Sequence, residues 1–215
     1  MKNCTIAATV AVLLSTTLAA AVHKRDDVSD KLAQVDTNAL VIAAFQWHSD
    51  TAAVSAFLDN AAQAIASGQS FDLTGDAQSA FGSETNEKTQ KGAIEGFICL
   101  DSACDSDISF TGIGAAKIEL EGGAFQSVLD QLNEISSAPE GTSALDVANA
   151  ISIINNGNST TDGRCAGVLP AIDLYFRSAA DVLKRIIPGD TTLDGLTAAR
   201  PAACNGISAL SQVSS

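Results

Sequence analysis

The chain has 215 residues, of which 46% are hydrophobic and only 5% aromatic, and its formal net charge at pH 7 is −13. A surface this acidic repels nucleic acids and anionic membranes, so neither is expected as a partner. The hydrophobic content is enough for one core, and no internal repeat or long linker divides the sequence. We therefore predict a single domain.

The first residues have the pattern of a secretory signal. After Lys2, an uncharged and mostly apolar stretch runs from Thr5 to Val22 and ends in small residues. This pattern predicts a signal peptide at 1–21. A spanning helix is the alternative, but it needs about 20 strongly apolar residues, and this stretch is shorter and diluted by Thr, Ser and Ala. We therefore expect a secreted, extracellular protein without a membrane span.

Lys24 and Arg25 follow and resemble the dibasic sites that kexin-type proteases cut in a fungal type of secretory pathway. Cutting there predicts a short propeptide, 22–25, and a mature helical domain, 26–215. An ordinary charged start to the domain is the alternative. Loss of the leader removes three basic residues and no acid, which takes the formal charge from −13 to −16. The pair Lys184–Arg185 lies in a helical pattern and is expected to escape cutting.

Apolar residues at steps of three and four predict helices in the first half of the mature chain. One helix is expected to start after Ser29 as its N-cap and to be interrupted at His48–Asp50. The next is predicted from Thr51 to a C-terminal cap at Gly68. The stretch 76–98 has a weaker, more charged pattern, and we predict that it is helical as well.

The second half begins with glycines and short apolar runs at 106–123, which we predict to be an ordered loop; a short strand is the alternative. Helices are then predicted from Phe125 to before Pro139, and again after Ser143. The last long helix is predicted from about Cys165 to Ile187, with the tail beyond it lying along the surface. These elements predict an all-α fold, a helical bundle of five or six helices.

Four cysteines remain after the signal is removed, and an even number in a secreted chain predicts two disulfides. Three pairings are possible. We favour Cys99 with Cys104, inside a short loop, and Cys165 with Cys204, which would staple the tail to the last helix. A zinc site is the alternative, but its thiolates would have to survive an oxidising compartment. One glycosylation sequon begins at Asn158 in a polar run that predicts an exposed loop.

Histidine limits the chemistry, because His48 is the only one left in the mature chain. No Gly-x-Ser-x-Gly motif supplies a serine for a triad with it. A histidine that caps backbone carbonyls is the interpretation we favour. No catalytic residue is therefore predicted.

Acidic residues suggest a second kind of site, because Glu84 and Glu87 are three positions apart, as on one face of a helix. Ferritin-like metal sites need Glu-x-x-His, which does not occur here. A site built of carboxylates alone, from these two with Asp50 and Asp173, is conceivable, but a solvated helix face is the interpretation we favour. We predict no metal and no cofactor.

Two segments, 45–58 and 164–176, resemble uncharacterised small secreted proteins of filamentous fungi. The resemblance implies secretion and a helical fold and transfers no catalytic residue. Our hypothesis is a non-catalytic protein that acts by binding a cell wall, a host surface or an apolar small molecule. Inward-facing alanines would leave room for such a molecule, although close helix packing explains them equally well. The alternative is a ferritin-like or other metal or carboxylate enzyme centred on His48, with His48, Asp50, Glu84 and Glu87 as the ligand-binding candidates.

Overall fold

The computed structural model describes residues 27–68, 73–101, 104, 106–109, 111–139 and 142–206. The predicted signal peptide 1–21 and propeptide 22–25, with Lys24 and Arg25, lie outside these ranges. The helices are α1 (27–34), α2 (Thr37–Ser67), α3 (Leu73–Ile98), α4 (Gly114–Glu119), α5 (Phe125–Ser136), α6 (Ala144–Asn156) and α7 (Leu169–Ile186).

Helices α2 to α7 contribute to one hydrophobic core, and the described ranges contain no strand. α2 packs mainly on α3, α3 on α5, and α5 on α6, while α4 packs on α7. The six helices α2 to α7 confirm the prediction of an all-α bundle of five or six helices, stapled by two disulfides, and the short α1 packs against this core through Val28 and Leu32. Among the described helices, none combines the length and the apolar character needed to cross a membrane.

The predicted interruption at His48–Asp50 is wrong, because α2 runs through these residues without a break. The break lies earlier, at 35–36, where the Asp36 side chain accepts a hydrogen bond from the Ala39 amide and caps α2. Ser29 lies inside α1 instead of capping it. The predicted cap at Gly68 is confirmed, with φ of 65°.

The stretch 106–123 is also more helical than predicted. Gly114–Glu119 form α4, and the chain kinks at Gly123, with φ of 113°, before α5 begins. Ala116 is buried there, and Lys117 pairs with Glu121 one turn later. Packing and this ion pair therefore stabilise a helix that the glycines of the segment argued against.

Both predicted disulfides are formed. Cys99 pairs with Cys104 and Cys165 with Cys204, each with a Cα–Cα distance of 5.0 Å. The first links Cys104 to the end of α3. The second ties the tail to a π-helical turn, Arg164–Val168, which leads directly into α7. On the loop-closure model, a bridge across this separation stabilises the fold by about 4 kcal/mol.

The tail to residue 206 does not merely follow the surface, as predicted, but packs into the bundle. Leu193 and Ala198 are buried. The Ala198 amide donates to Asp173 of α7, and the Ala199 amide donates to the Thr51 hydroxyl of α2, at 2.7 and 2.9 Å. The tail therefore joins α2 to α7.

Candidate functional site

Glu84 and Glu87 meet Arg164 and Trp47 in the interior of the bundle; we call these four residues the buried cluster. α3 presents the two glutamates on one face, the turn before α7 supplies the arginine, and α2 supplies the tryptophan. All four have 0% relative exposure. The interpretation of Glu84 and Glu87 as a solvated face is therefore wrong.

One arginine nitrogen holds the two carboxyl groups. Arg164 Nη1 donates to Glu84 Oε2 and, at 3.2 Å, to Glu87 Oε1. Glu87 Oε2 accepts a further bond from Trp47 Nε1, also at 3.2 Å. Glu84 Oε1 and the Nε and Nη2 atoms of Arg164 have no hydrogen-bond partner in the described part of the chain. Glu87 is thus the better satisfied of the two carboxyl groups.

Burial dominates the electrostatics of this cluster. It raises the pKa of Glu84 well above its usual value, against the attraction of Arg164 and with the added repulsion of Glu87. It also raises the pKa of Glu87, although Arg164 and the Trp47 hydrogen bond oppose the shift. Burial would lower the pKa of Arg164, but the charges and hydrogen bonds of the two glutamates together raise it. A proton on Glu84, with Glu87 and Arg164 ionised, leaves the cluster neutral.

His48 and Asp173 do not join this cluster, and both bind the same short stretch of the tail, 197–200. His48 Nδ1 lies 2.8 Å from the Thr197 carbonyl oxygen, so it carries the proton in this contact. Carbonyl binding is the role we favoured for His48, although the carbonyl belongs to the tail and not to a helix end. Asp173 accepts from Arg200 Nη2 at 2.5 Å as well as from the Ala198 amide.

Asp50 lies in α2 and contacts α3 at Asn86, the neighbour of Glu87 in the sequence. Its carboxylate accepts from Gln46 at 3.2 Å and from Asn86 at 2.7 Å, and it is almost fully buried. Burial raises its pKa, and both hydrogen bonds oppose the shift. In the described ranges, no three His, Cys, Asp or Glu side chains converge in a way that could hold a metal ion.

Arg164 is the residue that sequence reasoning missed. A signal was present, because a lone arginine stands beside Cys165 at the start of a long apolar segment, where a basic side chain needs an acidic partner. What the cluster can do is limited by its burial. The carboxyl groups have no exposed surface, and their hydrogen bonds join α3 to α2 and to the turn before α7.

A second set of charges, the edge network, consists of Lys91, Glu95, Lys117, Glu121 and Tyr175. Glu95 accepts from Lys91 at 2.7 Å and from the Tyr175 hydroxyl at 2.5 Å. Glu121 accepts from Lys91 at 2.8 Å and from Lys117 at 2.5 Å. Burial, together with the Glu95 hydrogen bond, raises the pKa of Tyr175. The network reaches solvent, because half of the Glu121 side chain is exposed.

Comparison of the chain with protein-family models, with curated proteins and with solved structures finds no match.

Proposed function

We propose that this protein is secreted, is not an enzyme, and acts by binding through its outer surface. The observation that carries the proposal is the burial of Glu84 and Glu87. A catalytic acid or base has to reach the proton it transfers, directly or through one water. These carboxyl groups are closed off by Trp47 and Arg164, and His48 is engaged by the tail.

Secretion is supported by the two disulfides, because such bonds form and persist in oxidising compartments. The signal-peptide pattern at 1–21, the Lys24–Arg25 site and the resemblance to small fungal secreted proteins support the same route. Asn158 is exposed, which suits a glycosylated residue of an extracellular protein.

Of the three kinds of partner, an apolar one fits the surface best. Ile42 and Phe45 are 67% and 44% exposed and lie three positions apart, on one face of α2. Polysaccharides stack on exposed aromatic rings; Phe45 offers one here, but its exposed neighbour on this face is the aliphatic Ile42, and Trp47 and Tyr175 are buried against each other, with ring centroids 5.3 Å apart. We therefore propose contact with an apolar surface or small molecule through the outer face of α2.

The test measures retention of the secreted protein on alkyl-coated beads, on cell-wall polysaccharide particles and on a host extracellular matrix, with a fluorescent fatty acid as the soluble probe. Ile42→Ser with Phe45→Ser is expected to weaken binding to beads and fatty acid about tenfold, because both lose buried apolar area. Leu145→Ser is the matched control, since Leu145 is similarly exposed on α6. The affinity of Leu145→Ser for the beads and the fatty acid is expected to stay within about twofold of the wild-type value.

Equal binding by the α2 variant and wild type would overturn the apolar contact, and retention only on polysaccharide or matrix would identify one of the other partners. No retention on any material would overturn binding as the function. The enzyme alternative makes a different prediction. A turnover activity abolished by His48→Ala, with the melting temperature unchanged, would favour it.

A further inference from the structure

The loop that carries the sequon, 157–163, has a fixed shape. The Asn158 amide donates to the Thr161 carbonyl at 2.9 Å, and Gly157 has φ of 79°, which favours glycine. A Cβ atom on Gly163 would lie 2.2 Å from the Gly157 nitrogen, so the two ends of the loop touch through their backbones. The loop therefore holds Asn158 in a defined direction.

Asn158 turns its side-chain oxygen toward its own loop. This Oδ1 accepts from the Thr160 amide and hydroxyl, both at 2.8 Å, and from the Thr161 amide at 3.1 Å. Its Nδ2 makes no hydrogen bond to the described residues, and the side chain is exposed. A sugar attached to Nδ2 therefore costs the folded protein none of these hydrogen bonds.

A surface groove of about 400 Å³ lies beside this side chain. One wall comes from 118–124, with Ile118 and Glu119, and the other from 158–162, with Asp162. Ile118 is 75% exposed, although it is a large apolar side chain. The side chains of Glu119 and Asp162 both lie against Gly167. Burial and the nearby charge of Asp162 raise the pKa of Glu119.

We propose that Asn158 carries an N-linked glycan whose first sugar lies in this groove and covers Ile118. The inference rests on the proposed secretion. Attachment joins Asn158 Nδ2 to the anomeric carbon of an oligosaccharide donor. The bond from that carbon to the donor's lipid diphosphate breaks, the diphosphate leaves with the electron pair, and the amide nitrogen gives up one proton.

The lining suits an N-acetylated sugar. The apolar face of the ring and its acetyl methyl group pack on Ile118, and hydroxyl groups donate to Glu119 and Asp162. Because the sugar is tethered to the rim, its effective concentration at the groove is high, and weak contacts are enough to keep it there. The glycan thus replaces solvent over an otherwise exposed isoleucine.

The experiment uses the full chain secreted from a eukaryotic host, in four forms: wild type, Ile118→Ser, Asn158→Gln and the double variant. Intact mass before and after N-glycan amidase measures the glycan, and thermal unfolding measures its contact. Asn158→Gln is expected to lower the melting temperature by about 2–4 °C. Ile118→Ser is expected to lower it by a similar amount with the glycan and hardly at all without it.

Leu145→Ser is the control, because Leu145 is 69% exposed and its effect should not depend on the glycan. An endoglycosidase that leaves one N-acetylglucosamine is expected to preserve the wild-type melting temperature. Secreted protein without a glycan at Asn158 would overturn the inference while leaving secretion intact. If the losses of melting temperature caused by Asn158→Gln and by Ile118→Ser simply add in the double variant, the contact between the glycan and the groove is overturned, while glycosylation at Asn158 stands. Binding to beads by the same proteins reports separately on the proposed function.

Discussion

Glu87 and Glu121 each accept hydrogen bonds from basic side chains, yet Glu87 is fully buried, and half of the Glu121 side chain is exposed. Burial raises the pKa of Glu87 despite the bonds it accepts from Arg164 and Trp47. Hydrogen bonds from Lys117 and Lys91 lower the pKa of Glu121. Pairing with a cation therefore does not by itself favour the charged carboxylate. The free energy gained from the attraction of the cation has to exceed the free-energy cost of removing the carboxylate from water.

The largest expected difference in the free energy of unfolding comes from removing one basic side chain from the buried cluster and one from the edge network. Arg164→Met leaves Glu87 buried with its charge unpaired and is expected to reduce the free energy of unfolding by about 3–5 kcal/mol. Lys117→Met, the control in the edge network, is expected to cost about 1 kcal/mol or less, because Glu121 keeps Lys91 and water. Urea unfolding measures both. Equal losses would show that burial does not separate the two regions.

The two buried carboxyl groups can be separated by amide substitution. Glu87→Gln is expected to cost about 1–3 kcal/mol, because an amide cannot accept from both Arg164 and Trp47 and leaves a buried donor unsatisfied. Glu84→Gln resembles the protonated acid and is expected to keep or raise stability at neutral pH, because it removes a carboxyl group that the fold has to keep protonated. The opposite ranking in urea unfolding would place the proton on Glu87.

The two regions are also expected to respond to pH in opposite directions. Because the folded pKa of Glu84 lies above its unfolded value near 4.5, its contribution to stability is lost as pH rises from about 4.5 through the folded pKa. The folded pKa of Glu121 is lowered, so its contribution is present above about 4.5 and is lost as pH falls.

Unfolding of the two amide variants across pH tests these signs. Glu84→Gln is expected to flatten the decline of stability above about pH 4.5. Glu121→Gln is expected to cost about 1 kcal/mol or less at neutral pH, and this difference should disappear in acid or high salt. A Glu84→Gln variant with the wild-type slope would contradict the raised pKa of Glu84.

Local patterns were enough to predict most of the helices, because apolar spacing is a property of the sequence itself, but they missed α4 and placed a break inside α2. Cysteine number predicted two disulfides and left three pairings open, of which the favoured one is formed. Local patterns were not enough for Glu84 and Glu87. A pair of glutamates three positions apart looks solvated until the arginine 80 positions away is known to face it. The same holds for His48 and Asp50. Their polarity suggested a helix break, but partners on the tail and on α3 satisfy both side chains within a continuous helix.

The Cys165–Cys204 disulfide also determines which fragments a protease can release from the folded protein. The dibasic pair Lys184–Arg185 lies between the two bridged cysteines, inside α7. A cut after Arg185, or anywhere else between them, would add one water to the mass and leave both fragments covalently joined. Unless a reductant opens the disulfide, the nicked molecule keeps the tail that joins α2 to α7.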